Sequence, residues 1–154
     1  MDVADKIIEL LQHCENLKGG FAVNQLEHCL QSATLAERDG ADDELIVACL
    51  CHDAGKVISR ANHGGIIAAI FKPYVREEVY WLLKMHQLFE GKHYFEYLGR
   101  DPNQYLQYKD EPWYDLCQKF ADKWDCPCFD PDFKSLPLIH FIPKVRKVFQ
   151  KTIA

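Results

Sequence analysis

The chain has 154 residues, of which 48% are hydrophobic and 27% charged, and it carries a net charge of −5. That length fits one domain able to bury a real core, and the composition is that of an ordinary globular protein. The acidic balance argues against nucleic acid, whose protein partners present basic surfaces, and no apolar run approaches the roughly 20 residues that span a bilayer.

The first segment, "MDVADKIIELLQHCEN", is acidic and amphipathic, without the basic start and apolar block of a signal peptide. Seven cysteines, an odd number, are scattered through the chain, which fits reduced thiols better than a disulfide framework. A cytoplasmic location is the expectation. Ile7, Leu10, Leu11 and Cys14 share one face of a first helix, which "KGG" at 18–20 is expected to end. A second helix, about 23–39, carries Leu26, Cys29, Leu30, Ala33 and Ala36 at helical spacing. "DGADDE" supplies a turn and an acidic start for a third helix, favourable near a positive helix N-terminus.

That third helix is an apolar run from Leu45 to Cys51 that finishes on His52-Asp53. Gly55 is expected to close it in the left-handed conformation, which leaves the histidine and aspartate unexplained. Further helices are expected at 63–71 and 74–87, separated by Pro73, and at 112–125, with Pro112 in its first turn. Proline-rich "CPCFDPDF" then breaks the chain before a basic amphipathic helix at 139–151. β-Branched runs with period-two alternation are missing, so the fold class is all-α, one domain over residues 1–154. Tyr74, Tyr80, Trp81, Trp113 and Trp124 read as core, with Trp124 also placed to wall a cavity.

Several histidines fall where metal ligands would. His28 sits among Leu26, Cys29 and Leu30, His63 opens a helix, and His86 follows "VYWLLKM" at the expected end of another. Alone, His28 reads equally well as a satisfied core histidine or a ligand, and His63 reads more readily as an ordinary polar helix start. Together with the His52-Asp53 pair and a late aspartate they make six candidate ligands: His28, His52, Asp53, His63, His86 and Asp125. One zinc site uses three or four protein ligands, so six fit two metals with one carboxylate shared between them. Imidazole and carboxylate without thiolate suit iron or manganese better than a thiolate-selecting metal. Asp122, three residues before Asp125, is the competing last ligand. A rival four-thiolate zinc site from "CLC" and "CPC" has one intervening residue per pair, where structural zinc pairs have two to four.

The order His28, His52-Asp53, Asp125 resembles the HD-domain superfamily of metal-dependent phosphohydrolases and relatives. It is most similar to the mixed-valent di-iron oxygenases, the branch containing myo-inositol oxygenase and the organophosphonate-cleaving HD-domain oxygenases. "NQLEHCLQSATLAERDGADDELIVACLCHDAGK" looks like the phosphonate-cleaving members, while "HDAGKV" and "FADKWDCPCFDPD" look like the inositol enzyme. The resemblance runs from about Asn24 to Asp132. It implies two irons in the mixed-valent Fe(II)/Fe(III) state with O2 as co-substrate. His28, His52, Asp53 and Asp125 would hold one iron, and Asp53, His63 and His86 the other, with Asp53 as the bridge. Lys56 falls where the inositol enzyme has a substrate-contacting lysine. Lys92 resembles an anion-binding lysine of the phosphonate group, at a different spacing. For both the competing account is a solvated or helix-capping charge. The Tyr and Glu gate of phosphonate-cleaving relatives is absent, with Lys18 and Phe21 at those positions.

Two activities are therefore expected. One is oxidative cleavage of a small anionic or polyhydroxylated molecule, a hydroxylated organophosphonate or a polyol. The other is metal-dependent hydrolysis of a small phosphate ester or nucleotide. A non-enzymatic metal-binding or sensing module is a third possibility.

Overall fold

The computed structural model describes residues 1–18, 21–150 and 152–153, and every regular element among them is helical. In chain order these are α1 (Val3–His13), α2 (Gln25–Arg38), α3 (Asp43–Cys51), α4 (His63–Phe71), α5 (Glu77–Glu90), α6 (Tyr114–Lys119) and α7 (Leu138–Val148). No helix among the described residues is long and apolar enough to cross a membrane.

The helix starts follow local chemistry. Asp2, Asn24 and Asp42 each accept a hydrogen bond from the backbone N–H three residues on, at 2.9, 2.8 and 3.0 Å, capping α1, α2 and α3. Asp5 completes the box at α1 by accepting from the Asp2 backbone. α3 is buried from Leu45 to Cys51, which is why its sequence is apolar on every face. α2 packs beside it and α4 against α5. One hydrophobic core joins α1 to α7 through Ile7, Leu11, Leu50, Ile67, Leu82 and Phe141.

Four local expectations are corrected. α1 gives way at Cys14–Asn16 to a 3₁₀ turn before Lys18, and Gly19 and Gly20 lie outside the described residues. Gly55 is not left-handed, since only Gly40 and Gly99 have positive φ among the described glycines. It is small for another reason: a Cβ there would come within 2.5 Å of the His63 carbonyl oxygen, so glycine lets the start of α4 close onto the end of α3. α5 starts at Glu77 and runs to Glu90, so His86 lies one turn inside its C-terminus rather than at it. Finally, α6 begins at Tyr114, two residues past Pro112, and widens into a π-helical segment, Phe120–Asp125, closed by Cys126 N–H donating to Ala121 at 3.0 Å. Such widened turns concentrate at functional sites.

The aromatic expectation divides. Trp113 and Trp124 are buried, while Tyr74, Tyr80 and Trp81 are partly buried against the core. All seven cysteines are free, and six are buried. Burial pushes the Cys14 and Cys117 thiols up to about 12, so these side chains act as small hydrophobes. The cysteines do not gather into a metal-ligand cluster among the described residues.

Candidate metal centre

Six buried side chains from five elements converge behind this core: His28, His52, Asp53, His63, His86 and Asp125. His28 comes from the middle of α2, His52 caps the end of α3, His63 opens α4 and His86 lies on α5. His52 is still helical, but Asp53 has already left the helix (φ −101°, ψ 1°). That break lets two consecutive side chains face one site, which a regular helix with its ~100° step would forbid.

The four imidazoles share one arrangement. Each Nδ1 lies against a backbone carbonyl: His28 on Cys128 at 2.9 Å, His52 on Cys49 at 2.6 Å, His63 on Arg60 at 2.8 Å and His86 on Leu83 at 2.7 Å. A carbonyl only accepts, so each Nδ1 carries a proton and donates, and each ring turns its Nε2 inward. Fixing the tautomer through a backbone carbonyl is how metal-binding histidines are oriented.

Those Nε2 atoms meet in two groups. His28 and His52 bring their Nε2 atoms to 3.0 Å, with Asp125 Oδ1 at 3.0 and 3.4 Å from them. His63 and His86 also bring theirs to 3.0 Å. Asp53 lies between the groups. Its Oδ2 is 3.2 and 3.3 Å from His28 and His52, and its Oδ1 is 3.1 and 3.5 Å from His63 and His86. No donor reaches Asp53 Oδ1 or either oxygen of Asp125. Nε2 atoms this close need a shared cation between them, and a buried charge without a partner costs several kcal/mol. A cation in each group would satisfy all six residues at once.

The proton affinities reflect the same crowding. Burial alone would lower His28 and His52, but Asp125 and Asp53 outweigh it and raise both, His52 strongly. Burial prevails at His86, which is lowered. Burial would raise the two carboxyls, yet the histidines, His52 foremost, hold both below the usual carboxylate range. The donors are imidazole nitrogen and carboxylate oxygen without sulfur, a set that fits a divalent transition metal such as iron or manganese. Three donors per group, plus the shared Asp53 at the first, would leave a bound metal with coordination positions open, as catalytic sites do.

Asp122 does not join them. It pairs with Lys92 at 2.6 Å and His93 at 3.0 Å and stays exposed, whereas Asp125 is fully buried. In a regular helix residues three apart sit on neighbouring faces; the wider π turn separates these two.

Beside the second group opens a cavity of about 470 Å³, and His63 is the only one of the six on its wall. Lys56 also lines it, with Nζ 3.3 Å from Asp53 Oδ2 and 3.5 Å from Gln25 Oε1. Its ammonium therefore faces the site rather than bulk solvent. Lys92, engaged by Asp122, is not among the lining residues, and neither is Trp124, whose indole N–H donates to Asp39 at 2.7 Å. Phe21 forms part of the wall and stacks on Phe129 at 4.6 Å, which stacks on the His28 ring at 3.9 Å. Lys18 is not among the lining residues.

Sequence reasoning missed Arg60, Glu90, Tyr94 and Phe129 on this wall. Glu90 follows His86 by four residues and so shares its helix face, a signal hidden by ending that helix at residue 87. Burial first, then the charges of Asp125 and Asp53, push its carboxyl well above the usual range.

No curated protein matches the chain. A family model described as HD domain matches residues 26–126, a span holding all six converging residues and the His52-Asp53 pair. HD-domain proteins are typically metal-dependent enzymes. With most of its length inside that match, the chain belongs to the HD domain family.

Proposed function

We propose that this protein is a di-iron oxygenase that uses O2 to cleave a small polar substrate, a hydroxylated organophosphonate or a polyol-like compound. The observation that carries the reading is Asp53, which turns one oxygen to each histidine pair. A carboxylate so placed suits a bridge between two metals, which a mononuclear site does not need. His28, His52 and Asp125 would hold one iron and His63 and His86 the other, with Asp53 on both. When bound, the irons would supply the activation of O2 and an anchor for a substrate oxygen.

The chain's own residues supply the setting. The backbone carbonyls on the four Nδ1 atoms keep each imidazole pointed inward without rearrangement. Phe129 and Phe120 shield the His28 and His52 rings, which excludes water from the deeper group. Lys56 places a cation 3.3 Å from Asp53, where it would orient the anionic or hydroxylated end of a substrate.

Metal analysis with electron paramagnetic resonance on partly reduced protein tests this. Two irons per chain and a coupled mixed-valent signal that shifts on adding substrate are expected. One metal per chain, or turnover that proceeds without O2, would reject it.

The second reading is a phosphohydrolase. Lys56 and Arg60 on one cavity wall favour it, because two cations beside a metal would neutralise a phosphoryl group. Anaerobic release of inorganic phosphate from a phosphate ester separates it from the first.

A further inference from the structure

Three of the four inward-facing imidazoles are fixed by their own stretch of chain. The carbonyl on each Nδ1 belongs to the residue three before it: Cys49 for His52, Arg60 for His63 and Leu83 for His86. Such local pairs form with the segment that carries them and need nothing else in place. His28 differs. Its Nδ1 donates at 2.9 Å to Cys128, 100 positions away in the chain, so the setting of this ring depends on where a distant segment comes to rest.

That segment has no regular structure to place it. Between the π-helical turn and α7, residues 126–137 form neither helix nor strand, and such a chain must find partners for its backbone elsewhere. Gln31 supplies them. Its Nε2 donates to the Asp130 carbonyl at 2.7 Å, and its Oε1 accepts from the Asp130 N–H at 3.2 Å. A carboxamide carries a donor and an acceptor side by side and so matches both groups of one residue, which a carboxylate, having no donor, does not.

The buried Gln31 follows His28 by three residues on α2, so the two share a helix face. Together they grip consecutive residues of the distant segment. His28 holds Cys128, Gln31 holds Asp130, and Phe129 between them stacks on the His28 ring at 3.9 Å. Further along the same helix, Thr34 Oγ1 accepts from the Leu136 N–H at 3.0 Å. That bond also fastens the segment, but well past the residues that touch His28.

We propose that Gln31 is the positioning residue of the inner metal site, holding the Cys128 carbonyl on Nδ1 of His28 and Phe129 over its ring. The inference rests on reading His28 as a metal ligand in the proposed function. It makes the inner site depend on a side chain that touches no metal, a dependence that the outer site, with its locally fixed His63 and His86, does not share.

The test is iron release. Anaerobic, iron(II)-loaded protein is mixed with excess ferrozine, and the native chain should give a fast phase from the outer group and a slow phase from the buried one. Gln31→Met, similar in length and without either polar group, should speed the slow phase at least tenfold and leave the fast phase alone. Loss of a partner that orients a metal ligand costs about tenfold to a hundredfold in metal affinity. Thr34→Val, which removes a comparable buried bond to the segment, should leave both phases unchanged. A slow phase that does not move in Gln31→Met would overturn the proposal. So would equal acceleration in Thr34→Val, or acceleration of both phases together, since either describes a general loosening of the segment. Should Gln31→Met fail to fold, Gln31→Glu keeps an acceptor for the Asp130 N–H and as a carboxylate offers no donor to its carbonyl. It should speed the slow phase likewise, and a native rate there would overturn the proposal. The dinuclear reading fails separately: a native chain that holds one iron rejects it, while Gln31 is still judged on how fast its variant releases that iron.

Discussion

The two halves of the metal centre use the same donors but stand differently toward solvent. His28, His52 and Asp125 are fully buried, and Phe129 lies flat on the first of them. His63 keeps 6% exposure and forms part of the cavity wall. In the proposed dinuclear centre the deeper group would retain its metal and the outer one would meet a ligand. Asp53, touching both, would tie retention to reactivity.

The largest effect should come from removing that tie. Asp53→Ala is expected to lose both metals and all activity. It should also lose about 3–5 kcal/mol of the metal-loaded protein's stability, the usual cost of breaking a buried charged arrangement from one side. Metal content and thermal melting check this, and one metal kept at full occupancy would show that Asp53 is not shared. His86→Ala should split the halves: the outer site empties and the inner one keeps its metal in a folded, inactive protein. Retention of two metals and full turnover in that variant would break the distinction.

A milder perturbation sharpens the same contrast. During chelation, the metal beside the cavity should leave first and the buried one second, giving two phases of release by absorbance or mass spectrometry. A single phase would mean that burial does not separate them. The smallest effect is expected at Lys56. Lys56→Ala should leave metal content and melting temperature nearly unchanged while kcat/KM falls at least tenfold, about 1.4 kcal/mol. Unchanged kinetics with slightly lower stability would instead make it a helix-end cation, worth only ~0.3–1 kcal/mol.

Much of this was legible in the residues because it depends on type and period. The apolar spacing of α2 and α3 marks helices, and a His-Asp pair ending a fully apolar helix has no reason to be there unless something binds it. What was not legible depends on backbone detail. Asp122 and Asp125 compete on paper because an α-helix would place them on neighbouring faces; the π-helical turn that sends one outward to Lys92 and the other inward leaves no composition signal. Gly55 reads as a helix stop and is instead a close-approach glycine, a fact that needs His63, eight residues on, to be seen in place. Glu90 went unnoticed because α5 continues past His86 on the strength of Phe89, which the core buries.

The most direct measurement is anomalous diffraction at the iron absorption edge from crystals of the iron-loaded protein. Two peaks are expected, one among His28, His52 and Asp125 and one between His63 and His86, with the Asp53 carboxylate between them. A single peak, or an outer pair of histidines that hold each other through a proton with no metal beside them, would contradict the dinuclear account.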